Sequence, residues 1–127
     1  MMTQNTNSKV TVILGASSNP ERYSNRAQRK LVNYGHPVIP VTPKGGVIEN
    51  ETTFRDMTEI NASVDTVTIY LNPSRLNNEI DKIISLKPKR VIFNPGSESP
   101  DAMAKLAANG IEVIEDCTLI LLNNDRY

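Results

Sequence analysis

One cysteine, one histidine and no net charge set this 127-residue chain apart from several large classes of protein. Cys117 has no second thiol for an internal disulfide, and Cys117 with His36 alone falls short of the ligands a zinc site collects, so no metal site is expected. Lysine plus arginine and aspartate plus glutamate number 14 each, which leaves no global basic field to hold a nucleic-acid backbone. The longest apolar runs, Val10–Leu14 and Leu119–Leu122, are far short of the roughly 20 residues of a membrane span. Residues 1–8 are polar and carry no apolar signal core. With a single histidine, any Ser–His or Cys–His chemistry has to run through His36.

What is present suits a compact domain. The chain is 39% hydrophobic and 22% charged, enough to bury a core. The expectation is a soluble, cytoplasmic protein with a flexible segment at 1–8 and one domain over 9–127.

Short β-branched runs alternate with helical periodicity, the pattern of a parallel α/β sheet. The first strand, Val10-Thr11-Val12-Ile13-Leu14, is nearly continuously apolar and ends at Gly15. A helix from Ser24 to Tyr34 follows, with Ala27, Leu31 and Tyr34 on one stripe. Val38-Ile39-Pro40-Val41 is the second strand, and its proline points to an edge position or a bulge. Pro43 to Thr53 reads as a loop, and Thr53 to Ile60 as one short amphipathic turn. The third strand is Thr66 to Leu71. Pro73-Ser74 opens a helix whose Leu76, Ile80, Ile83 and Ile84 form one stripe. The fourth strand is Arg90-Val91-Ile92-Phe93. Ser99-Pro100 supplies a cap and a first-turn proline for a helix that stops at Gly110. The fifth strand, Ile111 to Ile114, precedes a short helix over Asp116–Leu122. The expected fold is Rossmann-like: three layers, α/β/α, around a five-stranded, mainly parallel sheet of order 3-2-1-4-5. That order places a ligand crevice between the first and fourth strands, at their carboxyl ends.

The first loop, Gly15-Ala16-Ser17-Ser18-Asn19-Pro20-Glu21-Arg22, looks like a phosphate-binding turn. A glycine at the strand exit is followed by small residues with free amides and then by a helix N-terminus, where unpaired N–H groups and the helix dipole favour an anion. Ser17, Ser18 and Arg22 add donors. The dinucleotide fingerprint would need glycine at 17 and 20, where serine and proline stand. After the second strand comes Thr42-Pro43-Lys44 rather than the acidic residue of an NAD site. A lysine there suits a phosphorylated ribose, as in CoA or NADP; equally it is a solvated loop charge.

With these loops in view, the chain resembles the small stand-alone CoA-binding domain proteins and, more distantly, the N-terminal domain of the succinyl-CoA synthetase alpha subunit. The marks are Val12-Ile13-Leu14-Gly15-Ala16-Ser17, Gly35 through Lys44, and Asn109 through Cys117. The resemblance implies coenzyme A, or an acyl-CoA, as ligand. It implies Gly15, Ala16, Ser17, Ser18 and Arg22 at the pyrophosphate, and Pro43 and Lys44 at the adenosine with its 3′-phosphate. Leu71, Asn72, Pro73, Asn94 and Gly96 would lie along the pantetheine arm. The synthetase subunit continues into a second domain with a phosphorylated histidine, which this sequence does not contain, so the resemblance implies binding, not ligase chemistry; with no catalytic constellation found in the residues, the expectation is non-catalytic binding. Two alternatives stand beside it: a small NADP-linked reductase, and an interaction module or sensor acting with an acyl-CoA-handling partner. A homodimer is plausible for so small a sheet.

His36, in the turn before the second strand, reads as a surface residue at the end of the sheet away from the crevice. Cys117 reads as a small buried hydrophobe. Arg26, Arg29 and Lys30 read as a solvated helix face, and Tyr23 and Tyr70 as aromatics beside the crevice.

Overall fold

The computed structural model describes residues 8–127, so residues 1–7 of the expected flexible segment lie outside the described residues. The central sheet is built from β1 (Thr11–Leu14), β2 (Val38–Val41), β5 (Thr66–Ile69), β6 (Arg90–Phe93) and β7 (Glu112–Glu115), all parallel. Helix α1 (Tyr23–Asn33) links β1 to β2; α2 (Pro73–Leu76) and α3 (Ile80–Leu86) link β5 to β6. Helix α4 (Pro100–Ala108) links β6 to β7, and α5 (Thr118–Asn123) follows β7. The Rossmann-like α/β class is as the sequence predicts.

The strand order is not. The observed order is β2-β1-β5-β6-β7, which in sheet strands alone is 2-1-3-4-5, not 3-2-1-4-5. The third sheet strand pairs with β1 on the side away from β2, in register Val12↔Val67 and Leu14↔Ile69. Pro40 explains why. Its carbonyl faces outward, where it accepts the Phe54 N–H at 2.9 Å, and Phe54 O accepts from Thr42 N at 2.9 Å. A residue with no N–H to give is tolerated on that outer side, but not facing a full partner strand. The segment around Phe54 therefore closes the β2 edge with a single bridge. β5, buried along its whole length, takes a central position.

Two further elements differ from expectation. The 43–53 loop holds a two-stranded hairpin, β3 (Val47–Ile48) and β4 (Glu51–Thr52), turned through Glu49 and Asn50, both with positive φ. The single helix expected after Pro73 is split at Asn77–Glu79, where Glu79 N bonds Leu76 O at 2.8 Å in a tightened turn. Asparagine is a weak helix former, and two stand there together. The apolar stripe survives the break, with Leu76, Ile80 and Ile83 all buried.

The core lies on both faces of the sheet. On one, Val12, Val67, Ile69, Val91 and Phe93 pack under α2, α3 and α4 through Leu76, Ile83 and Leu106. On the other, Ile13, Ala16 and Val38 meet Leu31 of α1 and Leu122 of α5. Each fully buried Val, Leu, Ile or Phe among them contributes about 1.5–3 kcal/mol. At the β7 edge Glu112 and Glu115 are exposed, which discourages pairing with another strand.

Candidate functional site

Because β2 and β5 flank β1, the chain leaves neighbouring strands in opposite directions at β1, and a crevice opens above its carboxyl end. Gly15 forms the floor. Its φ is +92°, and a Cβ there would lie 2.8 Å from the Tyr70 carbonyl oxygen, so only glycine lets the exits of β1 and β5 approach this closely. Tyr70 N bonds Leu14 O at 2.8 Å, while the Gly15 and Ala16 amides both reach Val41 O, at 3.2 and 3.0 Å. These two residues line the crevice, but their N–H groups are turned to the β2 exit and their contribution is shape.

The amides of Ser17 and Ser18 have no partner among the described residues. Ser17 Oγ accepts from Asn19 N at 3.1 Å, and buried Asn25 on α1 donates to Ser17 O at 2.9 Å, fixing the turn against its helix. The N-cap of α1, Arg22, is extended and supplies no capping side chain, and the first turn holds no acid. Asn25 N turns back to Arg22 O at 3.1 Å and the Asn25 side chain reaches Glu49 at 3.4 Å, but the Tyr23 and Ser24 amides have no acceptor among the described residues, and with Arg22 these two residues line the crevice at the positive end of the helix dipole.

A groove of about 480 Å³ runs over this floor, lined by Gly15, Ala16, Ser17, Ser18 and Arg22, and by Pro43, Lys44, Gly45 and Gly46 on the β2 side. Val47 and Ile48 of the hairpin extend that wall, which Gln28 anchors to α1 by donating to Ile48 O at 2.9 Å. Tyr70, Leu71 and Arg75 form the β5 wall. A second depression of about 270 Å³ continues from Arg22 and Leu71 past Asn72 to Gly96 and Ser97. A third, of about 250 Å³, lies toward Pro43, Arg55, Asp56, Arg75 and Glu79.

Ten of the twelve residues singled out from the sequence thus line one connected crevice. Two do not. Pro73 begins α2 beside Asn72, which caps that helix through Oδ1 at 3.0 Å from Arg75 N. Asn94 is 2% exposed and fully used inside the fold. It donates to Thr68 Oγ1 (2.7 Å) and Ile69 O (2.9 Å) and accepts from Thr118 N (2.9 Å). Its role is to tie β5, β6 and α5 together beneath the crevice. Arg75 and the hairpin wall were missed: a basic residue in a helix's first turn reads as surface charge, and the hairpin strands are two residues each.

Tyr70 lines the crevice with its hydroxyl largely buried, and that burial raises its pKa well above the ordinary phenol value, so it stays neutral. Asp56 is held down to about 2, chiefly by its bond to Lys82 at 2.6 Å; Lys82 also reaches Glu79 at 3.2 Å. His36 lies at the amino end of the sheet as expected, but it is buried, not a surface residue. Its Nδ1 accepts Lys9 N at 3.0 Å, and its ring packs 4.8 Å from that of Tyr127. Burial is the main cause of its lowered pKa, with Lys9 and Arg90 adding to it. Among the described residues no group of His, Cys, Asp and Glu side chains is arranged to hold a metal ion, and no helix is long and apolar enough to cross a membrane.

A family model for the CoA binding domain matches residues 9–123. The crystal structure of an uncharacterized protein is 42% identical, with a TM-score of 0.90, covering 94% of this chain and 98% of that one. A Thermus thermophilus protein, cell-free ID.343, is 25% identical at a TM-score of 0.87, over 94% of this chain and 91% of its own. The dinucleotide-forming acetyl-coenzyme A synthetase 1 of Ca. Korarchaeum cryptofilum is 18% identical at a TM-score of 0.74. It matches 85% of this chain and 25% of its own length, and shares the fold.

Proposed function

The chain belongs to the CoA-binding domain family, and we propose that it binds coenzyme A or an acyl-CoA in this crevice without catalysing a reaction. The observation that carries the reading is the uncapped start of α1, with the free Ser17 and Ser18 amides and Arg22, in one groove with Lys44. The pyrophosphate sits at that helix start, over the floor shaped by Gly15 and Ala16. The adenosine lies against Pro43 and Lys44, with the lysine at the ribose phosphate. The pantetheine arm follows Leu71 and Asn72 into the depression that ends at Gly96, whose amide is already taken by Glu98 at 2.8 Å.

The absence of chemistry in this proposal rests on the groups present. The crevice offers amides, hydroxyls and cations. Of the carboxylates near it, Asp56 and Glu79 are occupied by Lys82 and Glu98 accepts the Gly96 amide, and His36 lies at the other end of the sheet. Among the described residues lining the crevice none is a histidine or an unpaired carboxylate that could move a proton at a thioester. Amide chemical-shift mapping with CoA tests the placement: Ser17, Ser18 and Tyr23 shift while Lys9 and His36 do not. Shifts confined to the amino end would refute it. Acetyl-CoA incubated with the protein is recovered intact; release of free CoA in proportion to protein would refute the non-catalytic reading.

A further inference from the structure

We infer that Arg75 is the specificity-determining residue that lets the crevice tell CoA from its analogue without the 3′-phosphate, acting across the groove from Lys44. The inference rests on the CoA reading above and assigns a residue that neither the sequence pattern nor that reading employed.

The cations of the crevice are distributed along it. Arg22 lines the groove and the depression toward Gly96 and Ser97, at the end where the Ser17 and Ser18 amides lie. Arg75 lines the groove and the opposite depression, beside Val41, Pro43 and Arg55. Since β1 lies between β2 and β5, the Pro43–Lys44 loop and the first turn of α2 rise on opposite sides of the Gly15 floor. An anion bound at the Pro43 end therefore has Lys44 on one side and Arg75 on the other.

Arg75 is also the available guanidinium at that end. Arg55 packs under Gly45 and donates to Pro43 O at 3.3 Å. The two carboxylates lining the same depression, Asp56 and Glu79, are both bound by Lys82, at 2.6 and 3.2 Å. Among the described residues Arg75 makes no ion pair or side-chain hydrogen bond. A planar guanidinium with no acid partner matches a terminal phosphate with two oxygens to offer, whereas a lysine supplies a point charge. A phosphodiester at this position presents less charge and less geometry for the fork to match. The pair therefore selects a ligand carrying a phosphomonoester on the ribose.

The test is calorimetric titration of wild-type protein, Arg75→Gln and Arg75→Lys with CoA and with dephospho-CoA. Arg75 is exposed, and melting curves confirm that each variant is folded. Loss of one charge-assisted, two-pronged contact lowers affinity about 10- to 100-fold. Arg75→Gln is expected to lose that much for CoA and almost nothing for dephospho-CoA, so that the preference between the two collapses; Arg75→Lys keeps part of it. A preference preserved in Arg75→Gln, through equal losses or through no loss, overturns the inference while wild-type CoA binding leaves the functional reading standing. Wild-type protein that does not bind CoA overturns that reading, and this inference with it.

Discussion

Replacing Gly15 with alanine should damage stability and binding together, and the structure says by how much. At φ +92° an added Cβ meets Tyr70 O at 2.8 Å, Tyr70 C at 3.0 Å and Leu71 Cδ2 at 3.1 Å. Two of those atoms are backbone of the β5 exit, where Tyr70 N is bonded to Leu14 O, so the obstruction cannot swing aside as a flexible side chain would. The unfavourable φ alone costs about 1–2 kcal/mol, and forcing β1 and β5 apart adds about as much again. A total of about 2–4 kcal/mol lowers the melting temperature by about 8–15 °C in a domain of this size. Gly96 provides the control. Its φ is +95°, yet a Cβ there meets nothing within 4 Å, so Gly96→Ala should show the backbone cost alone. Urea unfolding of both variants measures the difference, and CoA titration of Gly15→Ala should show weakened binding because Leu71 lies between the groove and both side depressions. Equal destabilisation of the two variants, or a Gly15→Ala protein as stable as wild type, would refute the close-approach argument.

Lys44→Glu puts a carboxylate where a ribose phosphate is proposed, and CoA affinity should fall about tenfold or more while dephospho-CoA is less affected; an unchanged CoA affinity removes Lys44 from the site. Asn94→Ala strips partners from Thr118 N, Ile69 O and Thr68 Oγ1, all buried, and should lower unfolding stability by about 2–4 kcal/mol. Full stability with abolished ligand binding would make Asn94 a contact residue instead. Burial holds the pKa of His36 in the folded protein below the ordinary imidazole value of 6.5, so the unfolded chain binds the extra proton first and stability declines as pH falls through 6.5. The melting temperature of wild type relative to His36→Gln should drop between pH 7.5 and 5.5; a parallel course for the two proteins would contradict the burial argument.

Much of this fold is visible in the sequence, and the errors have physical causes. The β-branched runs that end at Leu14, Val41 and Phe93 mark strands because burial on both faces demands continuous apolar residues. Such runs do not say on which side of β1 a strand pairs. Pro40 did carry that information, since an edge proline is incompatible with a strand on each side of β2, but the assumed order placed it in the interior. The hairpin over residues 47–52 escaped because its turn uses Glu49 and Asn50 in left-handed conformations, without the Asn-Gly or Asp-Gly signal. At the site, Gly15, the serines, Arg22 and Lys44 were legible because strand exits and helix starts are fixed by local pattern. Asn94 was misplaced because whether a polar residue after a strand faces the crevice or the core depends on Thr68 and Thr118, distant in sequence. Arg75 was invisible for the same reason.

The most direct test of the account is titration calorimetry of the wild-type protein with CoA, and with NADP in a parallel experiment. Saturable CoA binding at one site per chain, tighter than NADP, is the predicted result. No saturable heat with CoA, or a preference for NADP, would contradict the central claim and leave the crevice to a different nucleotide.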